Sequence, residues 1–473
     1  MIPVVTPDEM RAIDASASEP VAQLIERAGG AVARSAIDLM GGTYGRTVTV
    51  IAGRGNNGAD GREAAVRLTR RGVRVRVFDV AELPAALPKS DLVIDAAFGT
   101  GFRADPSRPW EPPSTGGALV LAVDIPSGVD GLTGTAVPGV LPADRTVTFQ
   151  ALKPGLLFGD GPALAGDVEV VDIGLDTSHI RCHLVERSDA ATWWPSRAEG
   201  AHKWRGAVKV VAGSDAMPGA AELCTASAMR AGSGLVSLSA PGCRPATRSE
   251  IVQRPVASAD FSDEALVEIS RFGALVIGPG LGRHDETLRA TRHCLADAPV
   301  PVVVDGDAIF AAAQHGDDGL LVGRRHPTVV TPHDGEFATL TGERPADDRI
   351  AAVRAAATRF RSTVLLKGPT TVIASPSELA VGGPEHAPVE SGSVLIVDHG
   401  DRRLATAGSG DVLAGMIAAA LAAGVDPARA AAAAAWLHAE CARSSVDEGV
   451  VAGDLVDRLP AAIAAMRDPE AVR

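Results

Sequence analysis

The stretch "LATAGSGDVLAG" (404–415) sets Gly408-Ser409-Gly410-Asp411 directly before a run of helix-forming apolar residues. A helix N-terminus carries unsatisfied N–H groups and about half a positive charge, so it attracts anions. Two glycines let the backbone approach a phosphate closely, which an aspartate serving only as a cap would not require. An aspartate beside such a turn can take the proton of a hydroxyl that attacks phosphorus. Asp411 is therefore the first candidate base. Around it, "GPGLG" (278–282) offers a strand end with no side chain to block a ligand, and "TPHDGE" (331–336) offers His333 and Glu336. "LLKGPTTVI" (365–373) offers Lys367 for a nucleotide phosphate, with threonine hydroxyls beside it.

A second set lies in the first half. In "AGRGNNGADG" (52–61), Gly53-x-Gly55-x-x-Gly58 matches the dinucleotide fingerprint, and Asp79 ends the next strand where a ribose-binding acid belongs. A nicotinamide dehydrogenase stays open on these residues. Yet Asn56, Asn57 and Asp60 crowd the place where a dinucleotide site offers bare backbone, which points to polar recognition instead. "VIDAAFGTGF" (93–102) puts Asp95 at a strand terminus, and "AVDIPSGVD" (122–130) puts Asp124 at another, before a Pro-Ser-Gly turn. If those strands are parallel neighbours, their carboxyl ends converge on one crevice. Asn57, Asp95 and Ser127 can then give hard oxygen ligands to a cation while Asp124 faces a substrate. Taken singly, each acid is equally well a helix N-cap.

The elements that must position these residues alternate. "RTVTVIAG" (46–53), "VRVRVFDV" (73–80), "DLVIDAAFG" (91–99), "ALVLAVDIPSG" (118–128), "TVTF" (146–149) and "DVEVVDIGL" (167–175) read as strands, and "GREAAVRLTRRG" (61–72) as a helix. Continuous apolar runs of this kind fit parallel strands buried on both faces. The mixed polar segment 176–200, with Trp193-Trp194-Pro195, marks a boundary. A second series follows in "AVKVVAG" (207–213), "ALVIGPGLG" (274–282), "VPVVVDGDA" (300–308), "PTVVTPHDGE" (327–336) and "STVLLKGPTTVIA" (362–374), and the end is Ala-rich and helical. Both halves read as three-layer α/β domains with mainly parallel sheets, one over 1–190 and one over 200–473.

Bulk properties exclude whole classes. A length of 473 residues with 46% hydrophobic content leaves room for two or three cores. A net charge of −13 without a Lys/Arg block argues against nucleic acid, and 3% aromatic content argues against base-stacking platforms. Five scattered cysteines without C-x-x-C argue against a disulfide framework and a zinc site. The N-terminus lacks the basic start and apolar core of a signal peptide. The most apolar run, 412–425, is shorter than the roughly 18 residues of a membrane span. These point to a cytoplasmic protein with no membrane partner, and the Ala-rich helices point to a homo-oligomer.

The motifs GNNGxDG, D-x-x-x-G-T-G-F, DIPSG, "ADRTVTF" (143–149) and "LKPGLL" (152–157) together resemble the NAD(P)H-hydrate epimerase family over about 5–175. The resemblance implies a Rossmann-like α/β/α sandwich that inverts the hydroxylated carbon of the damaged nicotinamide ring. By motif, Asn56, Asn57, Gly58, Ala59 and Asp60, with Gly99, Thr100, Gly101, Phe102 and the catalytic Asp124, would contact the hydrate. Asn57, Asp95 and Ser127 would hold potassium. Ala59 stands where the family has a second glycine, and would be strained if that position needs positive φ.

"AGSDAMPGAAELCTASAMRAGSGLV" (212–236), GPGLG, TPHDGE, KGPTT and ATAGSGDVLAG look like the ADP-dependent NAD(P)H-hydrate dehydratase family, of ribokinase-like fold, over about 202–440. Ala220, Gly282, His333 and Asp411 match its hydrate positions. Lys367, Gly368, Pro369, Thr370, Thr371 and Gly410 match its nucleotide positions. The pair of resemblances implies a fused repair enzyme. ADP would phosphorylate the ring hydroxyl of the S hydrate, magnesium would accompany the nucleotide, and loss of phosphate would restore NAD(P)H with release of AMP. Departures are Asp401, Arg402 and Arg403 in place of Asn, Pro or small residues, "LHAECA" (437–442) for H-G-x-A-G-D, Gly306 for alanine and Met217 for tyrosine. A small-molecule kinase with a regulatory first half is the alternative. A nucleotide sensor without turnover is less compatible with intact Asp124 and Asp411.

Overall fold

A computed structural model describes residues 1–105, 110–314, 319–376, 392–446 and 448–468. The chain forms two compact units, one of Ile2–Cys182 and one of Met1 with His183–Arg473.

In the first unit six strands form one sheet in the order Arg74–Asp79, Thr47–Ala52, Leu92–Ala96, Leu119–Val123, Arg145–Phe149, Asp167–Val171. Every pairing is parallel. The strand period of two separates the apolar runs cleanly. Val48, Val50, Leu92, Ile94, Leu121 and Val123 join the core under the helices Val21–Leu39 and Asn56–Arg70. Ile51 and Val93 face the other way, into a cluster with Trp110 and Val137. Both faces are covered over the central strands Leu92–Ala96 and Leu119–Val123, which are nearly continuous apolar runs, whereas the edge strands Arg74–Asp79 and Asp167–Val171 stay partly exposed and alternate with polar residues.

In the second unit the sheet runs Val394–Val397, Thr371–Ala374, Thr363–Leu366, Thr328–Val330, Val302–Val304, Ala274–Ile277, Val208–Val211, Val236–Ser239, Val252–Gln253. From Thr363–Leu366 to Val252–Gln253 all neighbours are parallel. Thr371–Ala374 turns back antiparallel on Thr363–Leu366, and Val394–Val397 is antiparallel to it in turn. The apolar run 362–374 is therefore a hairpin, with Lys367 to Thr370 at its turn, and not one strand. Helices Pro218–Arg230, Ser409–Ala422, Pro427–Arg443 and Ala452–Arg467 share one core with the sheet. Their alanines allow close approach: a Cβ on Gly415 would lie 2.1 Å from Ser227 Oγ. Trp193 and Trp194 are buried in that same core.

Candidate functional site

In the first unit the carboxyl ends of the parallel strands open onto a cavity of about 640 Å³. Asn56, Asn57 and Asp60 line it from the start of the helix Asn56–Arg70, and Gly99, Thr100, Gly101, Phe102 and Asp124 from two strand ends. Gly58 and Ala59 are not part of its wall. Gly58 serves packing, since a Cβ there would lie 2.0 Å from the Gly53 carbonyl oxygen. Ala59 is in the helix, its N–H donating to Gly55 O at 3.1 Å, and is not among the positive-φ residues. Its methyl group therefore adds no backbone strain.

Asp124 is itself held in a left-handed conformation, φ 69°. Such strain persists only where the surroundings enforce it. Here Thr100 N–H donates to Oδ2 at 2.9 Å, and Lys153 Nζ lies 2.7 Å from Oδ1. Lys153 is fully buried and also donates to Thr148 Oγ1 at 2.8 Å and to the carbonyls of Phe149 and Ala151. Asp60 is buried beside this pair; burial, and then the charges of Asp124 and Asp14, push its carboxyl up to about 8. Burial raises Asp14 as well. Lys153 sits within the quoted LKPGLL and Asp14 in the helix Pro7–Ser16; neither was singled out from sequence, because a lone lysine or a helical aspartate is usually solvated.

The proposed cation ligands occupy three neighbouring strand ends. Asp95 is fully buried, accepting from Ser127 Oγ at 2.6 Å and Ser127 N–H at 2.9 Å. Burial raises its carboxyl against those hydrogen bonds. The buried side-chain amide of Asn57 has no hydrogen-bond partner among the described residues. A buried carboxylate without a basic partner and an orphaned amide oxygen are the donors a hard cation satisfies, so these residues fit potassium. The dinucleotide alternative fares worse. Asp79 is bound by Arg62 at 3.0 Å and caps Ala81, and so is not free for a ribose.

In the second unit the residues again come from strand ends. Asp305 follows Val302–Val304, Thr331 and His333 follow Thr328–Val330, and Lys367 follows Thr363–Leu366. Lys367 Nζ lies 3.0 Å from Asp305 Oδ1 and 3.4 Å from Glu336 Oε2. Burial opposes its charge, but the two carboxylates outweigh that and hold its pKa above the usual lysine value. His333 caps the helix Asp334–Thr341, its Nδ1 accepting from Gly335 and Glu336 N–H, which leaves Nε2 to carry the proton. Gly282 N–H donates to Asp307 Oδ2 at 2.8 Å. Ala220, in the first turn of Pro218–Arg230, lies against Gly280, where an added Cβ would be 2.8 Å from it.

The helix Ser409–Ala422 begins after Gly408, at φ 89°, and no side chain caps it. Ser409 N–H donates to Thr406 O at 3.3 Å, which leaves the N–H groups of Gly410 and Asp411 open to an anion. A Cβ on Gly410 would sit 3.4 Å from Lys367 Nζ. Burial, then Asp305, Glu336 and Asp307, outweigh Lys367 and push Asp411 up to about 7. That is the range in which a carboxylate works well as a general base near neutrality. Beneath this turn His438 is buried, pushed down to about 4 by burial and hydrogen-bonded to the Ser409 backbone. Thr370 is buried in the hairpin turn, Thr371 is the first residue of the returning strand, and Pro369 packs on Gly400, where a Cβ would meet its carbonyl at 2.0 Å. Gly368 lies near Arg349.

A family model described as NAD(P)H-hydrate dehydratase matches residues 208–464, and one described as YjeF-related protein N-terminus matches 21–86 and 79–155. The bifunctional NAD(P)H-hydrate repair enzyme Nnr of Mycobacterium leprae (strain TN) is 37% identical over 456 residues, 90% of each chain. The enzyme of that name from Moorella thermoacetica is 34% identical over 97% of this chain and 96% of its own. The chain belongs to the bifunctional NAD(P)H-hydrate repair enzymes. A ribokinase-like superfamily protein from Enterococcus faecalis V583 shares the fold of the second unit, with a TM-score of 0.50, 21% identity, and coverage of 61% of this chain and 97% of that one.

Within this repair-enzyme family, the departures at 401–403 have a local explanation. Asp401 caps the short turn Arg402–Leu404, and Arg403 donates to the carbonyls of Ala442 and Arg443 at the end of Pro427–Arg443. They anchor the loop leading to Asp411. Gly306 takes φ 54°, and its backbone allows Asp307 to open the helix that follows. Nothing in the structure accounts for Met217.

Proposed function

We propose that the first unit interconverts the R and S epimers of hydrated NADH and NADPH, and that the second uses ADP to dehydrate the S epimer. The observation that carries this is that one chain holds both carboxylate sites, each inside one of the two matched family regions, and aligns along nearly the full length of relatives named bifunctional NAD(P)H-hydrate repair enzymes.

In the first site, Asp124 works at the hydroxylated ring carbon, held in place by Lys153 and Thr100. Asp60, protonated at neutral pH, faces the same cavity. Asn57, Asp95 and Ser127 would hold potassium, which supplies positive charge beside the ligand. In the second site, Asp411 takes the proton of the ring hydroxyl as its oxygen attacks the β-phosphorus of ADP. Lys367, Gly410 and the open helix end bind the phosphates, with Gly368 to Thr371 along the nucleotide. AMP leaves with its bridging oxygen. The ring nitrogen then expels phosphate, a neighbouring ring proton is lost, and NAD(P)H is restored. Magnesium enters with the nucleotide; among the described residues no group of three His, Cys, Asp or Glu is arranged to hold a metal ion.

No described helix is long and apolar enough to cross a membrane. Five unpaired cysteines support a reducing, cytoplasmic setting. Association of copies of the chain belongs to this reading too, and light scattering would give its stoichiometry. The test of function is to mix the protein with both epimers of NADH hydrate, magnesium, potassium and ADP, and follow NADH absorbance. Recovery beyond the S fraction, faster than spontaneous exchange, supports both activities. A halt at the S fraction removes the epimerase, and accumulation of a stable phosphorylated product favours a kinase.

A further inference from the structure

The second site places a lysine among carboxylates, and the lysine has a choice of partners. Lys367 reaches the turn that opens the helix Ser409–Ala422, next to Gly410, and its field acts on Asp411. Its ion pairs nevertheless go to Asp305, at 3.0 Å, and Glu336, at 3.4 Å. Asp305 is nearly fully buried, and its Oδ1 also accepts from Thr331 Oγ1 at 2.7 Å. That second bond fixes the carboxylate on the strand end, so the ammonium is fixed with it.

We propose that Asp305 is a positioning residue of the dehydratase site, whose buried carboxylate holds the Lys367 ammonium for the nucleotide phosphates and keeps it from pairing with Asp411. The proposal rests on Asp411 being the base. A lysine in direct contact with a catalytic carboxylate would stabilise its charge and depress its basicity. It would also be lost to the phosphate. Asp305 prevents both, by offering a buried, hydrogen-bonded alternative that Asp411 does not match. Glu336 adds a second hold, from the helix Asp334–Thr341, while its Oε2 also accepts from His333 N–H at 2.9 Å. The charged and titratable groups facing Asp411 from the elements packed around it are Asp305, Asp307, Glu336, Lys367 and Cys224, with His438 beneath its helix turn. Removing the negative charge of Asp305 acts on Asp411 in one direction only. It withdraws a repelling carboxylate and frees an attracting ammonium, and both favour the ionised base.

The experiment follows ADP-dependent recovery of NADH from the S hydrate by the full chain, at saturating ADP, from pH 5 to 9. The wild-type rate should rise with pH through an acid limb, as Asp411 ionises. In Asp305→Asn, which keeps an acceptor for Thr331, that limb should move down by about one pH unit or more. The plateau kcat should fall at least tenfold and, in a second series with ADP varied at the plateau pH, the KM for ADP should rise, while Asp305→Glu recovers part of each. An acid limb that stays in place in Asp305→Asn overturns the proposal, whatever the rate. If that variant does not fold, Glu336→Gln should move the limb the same way by a smaller amount, and an unmoved limb there overturns it equally. Failure of the underlying reading looks different: Asp411→Asn would then keep both its turnover and its acid limb.

Discussion

Lys153 Nζ lies 2.7 Å from Asp124 Oδ1, and the lysine is fully buried while the aspartate keeps an edge on the cavity. The pair unites a strand-end turn with the loop after Phe149, and it explains how a non-glycine residue remains at φ 69°. Breaking a buried pair from one side typically costs about 3–5 kcal/mol, because the other charge is left without a partner. Lys153→Met should therefore lower the melting temperature of the first unit and cut epimer exchange at least a hundredfold. ADP-dependent recovery from pure S hydrate should persist. Chromatographic exchange of resolved epimers, with calorimetry, checks both parts; wild-type exchange in a folded Lys153→Met chain would remove this pair from the site.

Asp411→Asn should abolish the dehydration and leave epimer exchange intact, since the two carboxylates belong to separate units. The loss expected for removing a general base is about a hundredfold to ten-thousandfold in kcat. A variant that restores NADH normally would exclude Asp411 as the base.

Asp60 gives a pH dependence with a definite sign. Its folded pKa, about 8, is above the ordinary aspartate value of 3.8, so the folded state binds a proton that the unfolded state has already released. The associated stability is fully present below the unfolded value and is lost as pH rises through the folded one. Each pH unit inside that window costs up to about 1.4 kcal/mol. Asp60→Asn should remove this slope and raise the stability of the first unit at pH 7, while weakening epimer exchange. Urea unfolding between pH 4.5 and 8.5 reads the slope, and an unchanged slope would clear Asp60 of the effect.

Potassium should stabilise the first unit by mass action, because its donors are assembled only in the folded state. The melting temperature should rise with KCl against choline chloride at equal ionic strength. Asn57→Ala should remove that increment even where the variant is otherwise folded. A rise that is the same in Asn57→Ala would place the ion elsewhere.

Much of this was open to a reader of the chain, for a physical reason. Strands buried on both faces must be continuous apolar runs, and glycines are forced wherever backbone passes close to backbone, as at Gly53, where a Cβ would lie 2.0 Å from Ala97 O. Those two signals locate strand ends, and strand ends locate the sites. Lys153 and Asp305 escaped because their importance lies in a partner distant in sequence: Asp124 for one and Lys367 for the other. The strand Val236–Ser239 begins where the motif 212–236 ends, and it and Val394–Val397 are four-residue runs outside the apolar series read as strands. The turn at Lys367 is signalled by Gly368-Pro369, although the apolar runs on both sides of it share no change of period that would mark the reversal.

The two glycines before Asp411 turn out to do different things, and this separates two variants. Gly408 takes φ 89°, and a Cβ there would lie 2.4 Å from Leu223 Cδ1. Gly408→Ala therefore meets both strain and a clash, and should destabilise the second unit while abolishing dehydration. Gly410 is helical, and its added methyl would be 3.4 Å from Lys367 Nζ, an ordinary contact. Gly410→Ala should fold with normal stability, because alanine favours the helix over glycine by roughly 1 kcal/mol. Its methyl nevertheless lies beside the lysine at the open helix end, where a phosphate would bind. The KM for ADP should rise at least tenfold, with a smaller change for the hydrate. Unaltered ADP kinetics in Gly410→Ala would mean that the phosphates do not approach this turn, and that its glycine serves the backbone alone.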